Sequence, residues 1–591
     1  MLVLGLSNMR DAAAALVLDG RIVAAAEEER FVRIKHVTAL PVNAIRYCLS
    51  EAGASLASVD AVAVPWMYWK LGRRAALALG AMLRSPTLLR VKGRRGLERL
   101  SHEWAELAVL SYKLRRRVGP IGARSVYLDH HLCHAASSFL VSPFERAAIL
   151  VVDGASEAHS VLLAMGEGQT IRVLQRISLP HSLGQLYAGM TAFLGFRPDC
   201  DEYIVMGLSA YGQPRYVDLL RTHVLRLLPD GGLELNTRLL DFHLARTGIF
   251  MPEFQHLFGP PRRHDEEITE RDRDLAASLQ SVLEEGVLHL GRHLKRLTGA
   301  ENLCVAGGVT YNCVANSRLA RELGYRHVFA QPAAGDSGTA LGAALWLSSR
   351  RGSMAHRDVM PHAYLGPQYD EEACRQALAR AGLVPEPLPD DVLCDRVATE
   401  LARGRLVGWF QGRMEWGPRA LGNRSLLADP RREDIRELIN AKVKLREPFR
   451  PFAPSVLEER AAEYFDITSP SPFMLFTHSV LPSAKGLIPA VVHVDGTSRI
   501  QTVDQESNPR FRHLIQAFER KTGVPVLLNT SFNVQEPIVC TPDDAVTCFL
   551  RTKVDWLVLG NLLVGRPGRD ALSLQQSAGN ARYRRRLNAN R

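Results

Sequence analysis

The chain has 591 residues, of which 46% are hydrophobic and 23% charged, and its 73 lysines and arginines against 62 aspartates and glutamates give a net charge of +11. This length predicts two or more domains, and the composition excludes a largely disordered chain. The positive net charge is consistent with an anionic ligand such as nucleic acid, an anionic membrane or phosphates. It is equally consistent with a soluble enzyme that has arginine-rich surfaces.

The sequence predicts neither a membrane span nor an export signal. The longest apolar run, Ala75–Leu83, stops at Arg84 and is far shorter than the roughly 20 residues that cross a bilayer. The first residues lack a basic stretch and a cleavage site, so we expect a cytoplasmic protein. Nine cysteines without a Cys-x-x-Cys pair are typical of reduced thiols and argue against a zinc ribbon.

Strands followed by acidic or glycine turns recur along the chain. The first set begins with a hairpin, in which Asp19-Gly20 joins Ala13–Leu18 to Ile22–Ala26. Similar patterns follow at Ala147–Val152, before Asp153-Gly154, and at Asn302–Ala306, before Gly307-Gly308. This recurrence predicts a duplicated α/β fold with sites at the ends of strands.

Composition also suggests how the chain is divided. Ser349–His362 is polar and lacks periodicity, which predicts domains at residues 1–352 and 363–567 and a basic, disordered tail at residues 568–591. Lys70–Arg117 is helical in pattern and dense in arginine. It could contact nucleic acid or a membrane surface, but its arginines are not regularly interleaved with aromatic stacking residues, so we favour a solvated insertion.

Two histidines form the sharpest local motif. His130 and His134 are four residues apart, which on a helix places both imidazoles on one face, about 5–6 Å apart at Cβ. Such a pair can share one metal, although a pair of hydrogen-bonded helix histidines shows the same spacing. His131 is expected to point elsewhere and is the weaker candidate.

Two aspartates favour the metal interpretation. Asp153 follows an apolar strand, and Asp336 lies in a glycine-rich turn before a small-residue helix; we expect both carboxylates at strand ends. An unpaired charge in apolar surroundings is costly, and a cation offsets that cost. Two histidines and two aspartates suit Fe(II), Mn(II) or Zn(II), and the sequence does not choose among them.

Glycines and cationic residues mark candidate anion sites. Gly307 and Gly308, in a run that ends in Asn312-Cys313-Val314-Ala315-Asn316, lie between a predicted strand and a helix whose N-terminus offers free N–H groups. Further along, arginines lie among glycines, prolines and aromatic residues. These neighbours favour an anion-binding role for the arginines over simple exposure to solvent. The candidates there are Arg419, Lys444, Arg450, Arg499 and the strand end with Asn529 and Ser531.

Together these motifs resemble the O-carbamoyltransferases of antibiotic tailoring and nodulation-factor modification. The resemblance covers about residues 1–565 and also rests on Ala25–His36, Pro180–Gly184 and Met206–Gly212. It implies a first domain similar to the tRNA threonylcarbamoyl transferases, in the actin-like ATPase superfold, and a YrdC-like second domain. Carbamoyl phosphate and ATP with Mg²⁺ would form carbamoyl adenylate in the second domain, and an acceptor hydroxyl would take the carbamoyl group in the first.

The resemblance also assigns residues. His130, His134, Asp153 and Asp336 would bind iron(II), and the cofactor-binding residues would be Gly307, Gly308, Asn312, Arg419, Lys444, Arg450, Arg499, Asn529 and Ser531. It implies a small-molecule partner with a free hydroxyl and allows a homodimer.

At one position expected to contact the acceptor, this chain departs from the pattern of the family it resembles. The family usually has histidine where this chain has Arg10, and an arginine cannot serve as a general base near neutral pH. We therefore expect Asp11 or His36 to take the acceptor proton and Arg10 to act as a fixed cation.

Two other functions are alternatives to small-molecule carbamoyl transfer: an RNA-modifying carbamoyl transferase and a non-catalytic actin-like binding protein.

Overall fold

The computed structural model describes residues 1–70, 72, 76, 105–240 and 252–566. The chain divides into two compact units: a first unit of Met1–Glu29 and His36–Met360, and a second unit of Arg30–Lys35 and the chain from Pro361 onward. The change of unit at Met360 falls inside the polar segment expected to separate the domains. The predicted tail at residues 568–591 lies outside the described residues.

The first sheet of the first unit has the strand order β3-β2-β1-β4-β5. β1 to β3 pair antiparallel, and β1, β4 and β5 pair parallel. Asp19 and Gly20, with φ of 49° and 86°, form the tight turn that the hairpin motif predicted. The strands are β1 (Leu2–Ser7), β2 (Ala13–Leu18), β3 (Arg21–Glu27), β4 (Ala61–Val64) and β5 (Arg124–Tyr127).

The second sheet repeats this arrangement. Its order is β12-β11-β6-β7-β8, with β6 to β8 antiparallel and β6, β11 and β12 parallel, so each strand has a counterpart in the first sheet. The duplication predicted from the sequence is therefore present in the strand order. The strands are β6 (Arg146–Val152), β7 (His159–Glu167), β8 (Thr170–Ser178), β11 (Asn302–Ala306) and β12 (His327–Ala330), with a separate hairpin of β9 (Leu225–Leu227) and β10 (Leu233–Leu235).

Two corresponding helices, each following the last strand of its sheet, pack closely together. A side chain at Gly342 would overlap the carbonyl oxygen of Cys133, and one at Gly5 would overlap that of Ala340. Small residues are therefore required where these helices and β1 meet. The helices through the first unit are α1 (Glu28–Val32, which ends in the second unit), α2 (Val42–Glu51), α3 (Leu110–Arg117), α4 (His130–Phe139), α5 (Leu183–Phe193), α6 (Glu202–Ser209), α7 (Val217–His223), α8 (Pro252–Phe258), α9 (Glu270–Thr298), α10 (Cys313–Glu322) and α11 (Asp336–Arg350).

The second unit is built on an eight-stranded mixed sheet of order β13-β22-β21-β14-β15-β20-β16-β19, with β17 and β18 paired separately. Trp409, Phe410, Phe511 and Phe518 are buried in its core. Its strands are β13 (Glu386–Pro387), β14 (Val407–Phe410), β15 (Arg424–Ala428), β16 (Ala453–Leu457), β17 (Thr477–Ser479), β18 (Thr497–Arg499), β19 (Gln501–Val503), β20 (Val526–Ser531), β21 (Trp556–Leu559) and β22 (Leu562–Gly565). Its helices are α12 (Glu371–Arg380), α13 (Asp390–Ala402), α14 (Ile435–Ile439), α15 (Pro482–Lys485), α16 (Pro509–Thr522) and α17 (Pro542–Arg551).

The short segment Arg30–Lys35 differs from the predicted division, which placed it in the first domain. The Arg33 guanidinium donates to the carbonyl oxygens of Pro537 and Ile538, the latter at 2.6 Å. Arg30 donates to the carbonyl of Gly417 at 2.8 Å. These long-range bonds, which local sequence pattern does not reveal, tie the segment to the second unit.

Within the described parts of the chain, every helix is too short or too polar to cross a lipid bilayer.

Candidate functional site

The histidine motif lies at the start of α4. The Asp129 side chain caps the helix by accepting from the Leu132 N–H at 3.2 Å, so His130 is the first helical residue. His134 follows one turn later, with its ring centroid 4.7 Å from that of His130. The two imidazoles are neighbours, as their spacing predicts.

Both imidazoles face two buried carboxylates. His130 Nε2 lies 3.5 Å from Asp336 Oδ1 and 3.6 Å from Asp153 Oδ2, and His134 Nε2 lies 3.6 Å and 4.0 Å from the same atoms. One ligand atom from each of the four residues lies within 4.8 Å of all the others. Atoms at these separations can surround one ion with bonds of roughly 2.0–2.2 Å.

The chemistry of this group fits a divalent metal. His130 Nδ1 lies 3.1 Å from the Pro65 carbonyl oxygen, to which it donates, so in the neutral imidazole the lone pair is on Nε2, which faces the carboxylates. Within the described residues, His130 Nε2 and both ring nitrogens of His134 are buried without a hydrogen-bond partner. Leaving such atoms unsatisfied is costly, and a dication would satisfy them and balance two carboxylates.

Loops after corresponding strands position these groups. Asp153 directly follows β6, and its Oδ1 accepts from the Gly308 N–H at 3.0 Å. Gly307 has a φ of 95°, and a side chain there would overlap the Val152 carbonyl oxygen. The glycine pair thus orients Asp153. Asp336 was expected at a strand end but is the first residue of α11, six residues beyond the end of β12, because an intervening turn carries the chain into the helix.

His131 also differs from expectation. It was expected to point elsewhere, yet its Nε2 lies 3.9 Å from Asp153 Oδ2, although it is outside the four-residue group. Side chains in the first helical turn lean toward the N-terminus, which brings adjacent residues to the same end of the helix. Burial holds the pKa of His131 well below its usual value, so this imidazole is neutral.

Asn312 is buried and engaged within the fold. Its side chain exchanges two hydrogen bonds with Gln280, at 2.8 Å and 3.0 Å, and its Oδ1 also accepts from the Ala315 N–H to cap α10. The amide therefore joins α9 to α10, although the sequence pattern suggested a nucleotide contact.

The three predicted acceptor-side residues cluster in the first unit. His36 Nδ1 lies 2.8 Å from Asp11 Oδ1, and both residues have positive φ, at 54° and 39°. The hydrogen bond to Asp11, followed by one to Cys200, raises the pKa of His36 to about 11. His36 is therefore an imidazolium near neutral pH, paired with the Asp11 carboxylate.

Arg10 lies beside the buried carboxylates. Its guanidinium is 3.1 Å from Asp199 Oδ1. Burial tends to lower the pKa of Arg10, but Asp199, Asp336 and Asp153 outweigh that effect and raise it. Arg10 is thus a permanent cation next to the four-residue group.

In the second unit the structure brings Lys444 and Ser531 together. Lys444 Nζ is buried and donates to Ser531 Oγ at 3.1 Å and to Asn533 Oδ1 at 2.7 Å. Burial lowers the pKa of this ammonium well below its usual value. The analysis of the sequence missed Asn533, although it lies in the same hydroxyl- and amide-rich turn.

Asn529 is the centre of a buried polar network. Its Nδ2 donates to Ser455 Oγ at 2.9 Å, to Gln501 Oε1 at 3.2 Å and to the Ala420 carbonyl at 3.3 Å. Its buried Oδ1 has no hydrogen-bond partner within the described residues. Ser455 and Gln501 carried no recognisable sequence pattern, because they become neighbours only through the pairing of β16 with β19.

Of the predicted arginines, Arg419 and Arg450 lie outside the strands, and Arg499 belongs to a strand. Arg419 precedes Ala420, whose carbonyl accepts from Asn529. Arg499 ends β18, and Asn440, at the start of the turn that carries Lys444, donates to the Arg450 carbonyl at 3.1 Å. These bonds fix the backbone beside Arg419 near Asn529 and the backbone of Arg450 near the turn that carries Lys444.

Two other arginines of the same glycine-rich run have structural contacts. Arg413 donates to the Leu365 carbonyl at 2.7 Å. Arg424 donates to the Pro367 carbonyl at 2.9 Å and lies 3.7 Å from the centroid of the Phe410 ring. Their sequence settings resemble that of Arg419, and the local pattern does not show that these two arginines bind backbone carbonyls.

The arginine-dense segment can be placed only in part. Residues 71, 73–75 and 77–104 lie outside the described residues, while Leu110–Arg117 forms α3. The structure therefore adds nothing to the nucleic-acid or membrane interpretation of this segment.

Comparison with known proteins places the chain in a family. The model for the carbamoyltransferase N-terminus matches residues 2–73 and 97–345, and that for the carbamoyltransferase C-terminus matches residues 398–566. The chain is 42% identical to "Uncharacterized protein sll1178" of Synechocystis sp., over 95% of this chain and 96% of that protein. It is 41% identical to "Nodulation protein NolNO" of Sinorhizobium fredii, over 94% and 79%, and 42% identical to "Nodulation protein NolO" of Bradyrhizobium diazoefficiens, over 74% and 78%. With both family models matched in order along one chain, this protein belongs to the carbamoyltransferases and is a carbamoyl-transferring enzyme.

Proposed function

We propose that this enzyme is an ATP-dependent O-carbamoyltransferase that modifies a hydroxyl of a secondary metabolite, as in antibiotic tailoring. Carbamoyl phosphate loses inorganic phosphate to water, and the resulting carbamate attacks the α-phosphorus of ATP and releases pyrophosphate. The acceptor hydroxyl then attacks the carbonyl of carbamoyl adenylate, and AMP leaves. Adenylation is needed because a carbamate carbonyl is a poor electrophile without a good leaving group.

The second unit, as a YrdC-like domain, would form the adenylate. Arg419, Arg450 and Arg499 supply permanent charges suited to phosphate oxygens. Lys444 is oriented by Ser531 and Asn533, and Asn529 is fixed by three hydrogen bonds. Clustered cations offset the repulsion between carbamoyl phosphate and the ATP·Mg²⁺ phosphates when both bind.

The first unit, as an actin-like domain, would transfer the carbamoyl group. His130, His134, Asp153 and Asp336 would hold a divalent metal, iron(II) by family resemblance. When bound, such an ion acts as a Lewis acid toward the carbamoyl carbonyl. Gly308 keeps Asp153 oriented toward the imidazoles through its N–H.

The acceptor proton would pass to Asp11 in preference to His36. An imidazolium with a pKa near 11 has no free nitrogen to accept a proton at neutral pH, whereas the Asp11 carboxylate does accept one. His36 then acts as the positive partner that orients Asp11. Arg10, held by Asp199, would bind the adenylate phosphate or the acceptor as a fixed cation.

The observation that carries this proposal is the buried group of two histidines and two aspartates inside the region that matches the carbamoyltransferase N-terminus. The test incubates the purified enzyme with carbamoyl phosphate, ATP, Mg²⁺ and a panel of hydroxylated metabolites. We expect pyrophosphate release that depends on carbamoyl phosphate, together with a carbamoylated product detected by mass spectrometry. Absence of that pyrophosphate release, with metal bound, would overturn the adenylate route.

A further inference from the structure

A buried carboxylate of the first unit, that of Glu157, takes no part in the steps proposed above. Glu157 is 2% exposed and lies in the short loop between β6 and β7, four residues after Asp153. The backbone holds this loop at its start, where the Asp153 N–H donates to the Ser160 carbonyl at 2.9 Å. The loop that carries one proposed metal ligand therefore also fixes the position of Glu157.

The Glu157 carboxylate receives hydrogen bonds from two other segments. Its Oε1 accepts from the Met67 N–H at 2.8 Å and from the His130 N–H at 3.4 Å. The His130 N–H belongs to the first turn of α4, where backbone donors have no partner inside the helix and a negative charge is favourable. One oxygen atom thus joins the β6–β7 loop to the start of α4 and to the segment that follows β4.

The segment that follows β4 contacts the His130 imidazole in two ways. The Pro65 carbonyl accepts from His130 Nδ1 at 3.1 Å. The buried ring of Trp66 lies 4.1 Å from the His130 ring, with 30° between the two planes. Met67, whose N–H donates to Glu157, is the next residue. Glu157 therefore holds the backbone of His130 together with the segment whose carbonyl and ring set the orientation of the imidazole.

We propose that Glu157 is a positioning residue that directs His130 Nε2 toward the carboxylates of Asp153 and Asp336. A ring that is fixed at Nδ1 and across its face presents Nε2 in one direction, and partners of this kind increase the affinity of a histidine for a metal. The requirement is an acceptor oxygen that reaches both N–H groups. This inference rests on the proposed function, in which the four-residue group holds a divalent metal, and it adds a fifth residue on which that site depends.

Co²⁺ binding to the full-length protein tests this role. Co²⁺ is titrated into the wild type, Glu157→Gln, Glu157→Asp and Glu157→Ala, and its visible absorption bands report the geometry of the groups that bind it. Glu157→Gln should keep the wild-type bands, because its amide oxygen accepts the same two hydrogen bonds. Glu157→Asp keeps the charge but is shorter by one methylene group. It and Glu157→Ala should shift the bands and weaken Co²⁺ binding roughly 10–100-fold.

Asp272→Ala is the matched control. Asp272 is another buried carboxylate of the first unit at the start of a helix, α9, where it accepts from the Thr269 N–H at 2.9 Å. Loss of this cap should lower Tm and leave both the absorption bands and the Co²⁺ affinity unchanged. Thermal unfolding of all variants therefore separates a loss of stability from a change at the metal site.

Unchanged bands and affinity in either Glu157→Ala or Glu157→Asp would overturn the inference, as would bands of Glu157→Gln that match those of Glu157→Ala. If Glu157→Ala does not fold, the comparison of Glu157→Gln with Glu157→Asp decides. A wild type that binds no Co²⁺ would refute the metal assignment and this inference with it. Carbamoyl transfer is measured separately: its absence in a wild type that binds Co²⁺ contradicts the proposed function and leaves the result for Glu157 intact.

Discussion

The two candidate sites have opposite electrostatic character. In the first unit, two buried carboxylates face imidazole nitrogens that have no hydrogen-bond partner within the described residues. In the second unit, the buried Lys444 ammonium is surrounded by hydroxyl, amide and carbonyl oxygens, and arginines lie in the adjacent turns. The first arrangement suits a divalent cation, and the arginines of the second suit anions. The contrast teaches that the two units offer candidate sites for ligands of opposite charge.

Replacing a metal-facing imidazole is the strongest way to break this contrast. His134→Ala should remove the bound metal and reduce carbamoyl transfer by more than about 100-fold, since loss of outer-shell partners alone costs roughly 10–100-fold. Carbamoyl-adenylate formation should persist. Metal content and both half-reactions are measured on this variant and on a control, His289→Ala. His289 lies on α9 and hydrogen-bonds to the Gly232 carbonyl. Full metal occupancy in His134→Ala would refute the assignment.

Removing a cation from the second unit should give the converse result. Arg499→Ala should slow pyrophosphate release by roughly 10- to 150-fold, because a charge-assisted phosphate contact contributes about 1.5–3 kcal/mol. With preformed carbamoyl adenylate supplied, transfer should continue. Arg512→Ala is the matched control, since the Arg512 guanidinium forms an ion pair with Glu459. Unchanged pyrophosphate release in Arg499→Ala would show that the anions bind elsewhere.

A third variant tests whether the metal site of the first unit depends on the packing of α11 against α4. Gly342→Ala forces α11 away from α4, because the added methyl would overlap the Cys133 carbonyl. Overpacking of this kind costs about 1–3 kcal/mol of stability and should weaken metal binding, while the second unit keeps its half-reaction. Thermal unfolding and metal titration measure both effects. Gly486→Ala, where a side chain would meet open space, should change neither.

For the His36–Asp11 pair we expect a pH-dependent change in thermal stability that is smaller than the effects of the preceding variants. Since the hydrogen bond to Asp11 raises the pKa of His36 to about 11 from 6.5, the folded state binds this proton more tightly than the unfolded state. The pair therefore stabilises the fold fully below about pH 6.5, and its contribution is lost as the pH rises through about 11. His36→Asn should lower Tm more near pH 6 than near pH 10, and His264→Asn, at an exposed histidine, is the control variant. A pH-independent difference, or an imidazole NMR titration near 6.5, would contradict this assignment.

Local patterns predicted much of the first unit because they report short-range preferences. Asp19-Gly20 favours a tight turn at any place in a chain, and Asn302–Ala306 forms the predicted strand with the same bounds. The spacing of His130 and His134 needs only helical geometry to bring two imidazoles together. Asp336 was predicted less well, because the pattern does not show where a turn ends and a helix begins.

The sequence by itself determined the repeated strands, the spacing of the histidines and the residue types at both sites, because turn, strand and helix preferences act over a few neighbours. Only the tertiary structure decided which groups meet. The pairing of β16 with β19 and β20 joins Ser455, Gln501 and Asn529, and the packing of α11 against α4 brings Asp336 to the imidazoles. The tertiary structure also shows that Arg424 hydrogen-bonds to a backbone carbonyl and that Arg30–Lys35 belongs to the second unit. These contacts join residues far apart in sequence, and their energies depend on burial that no local pattern encodes.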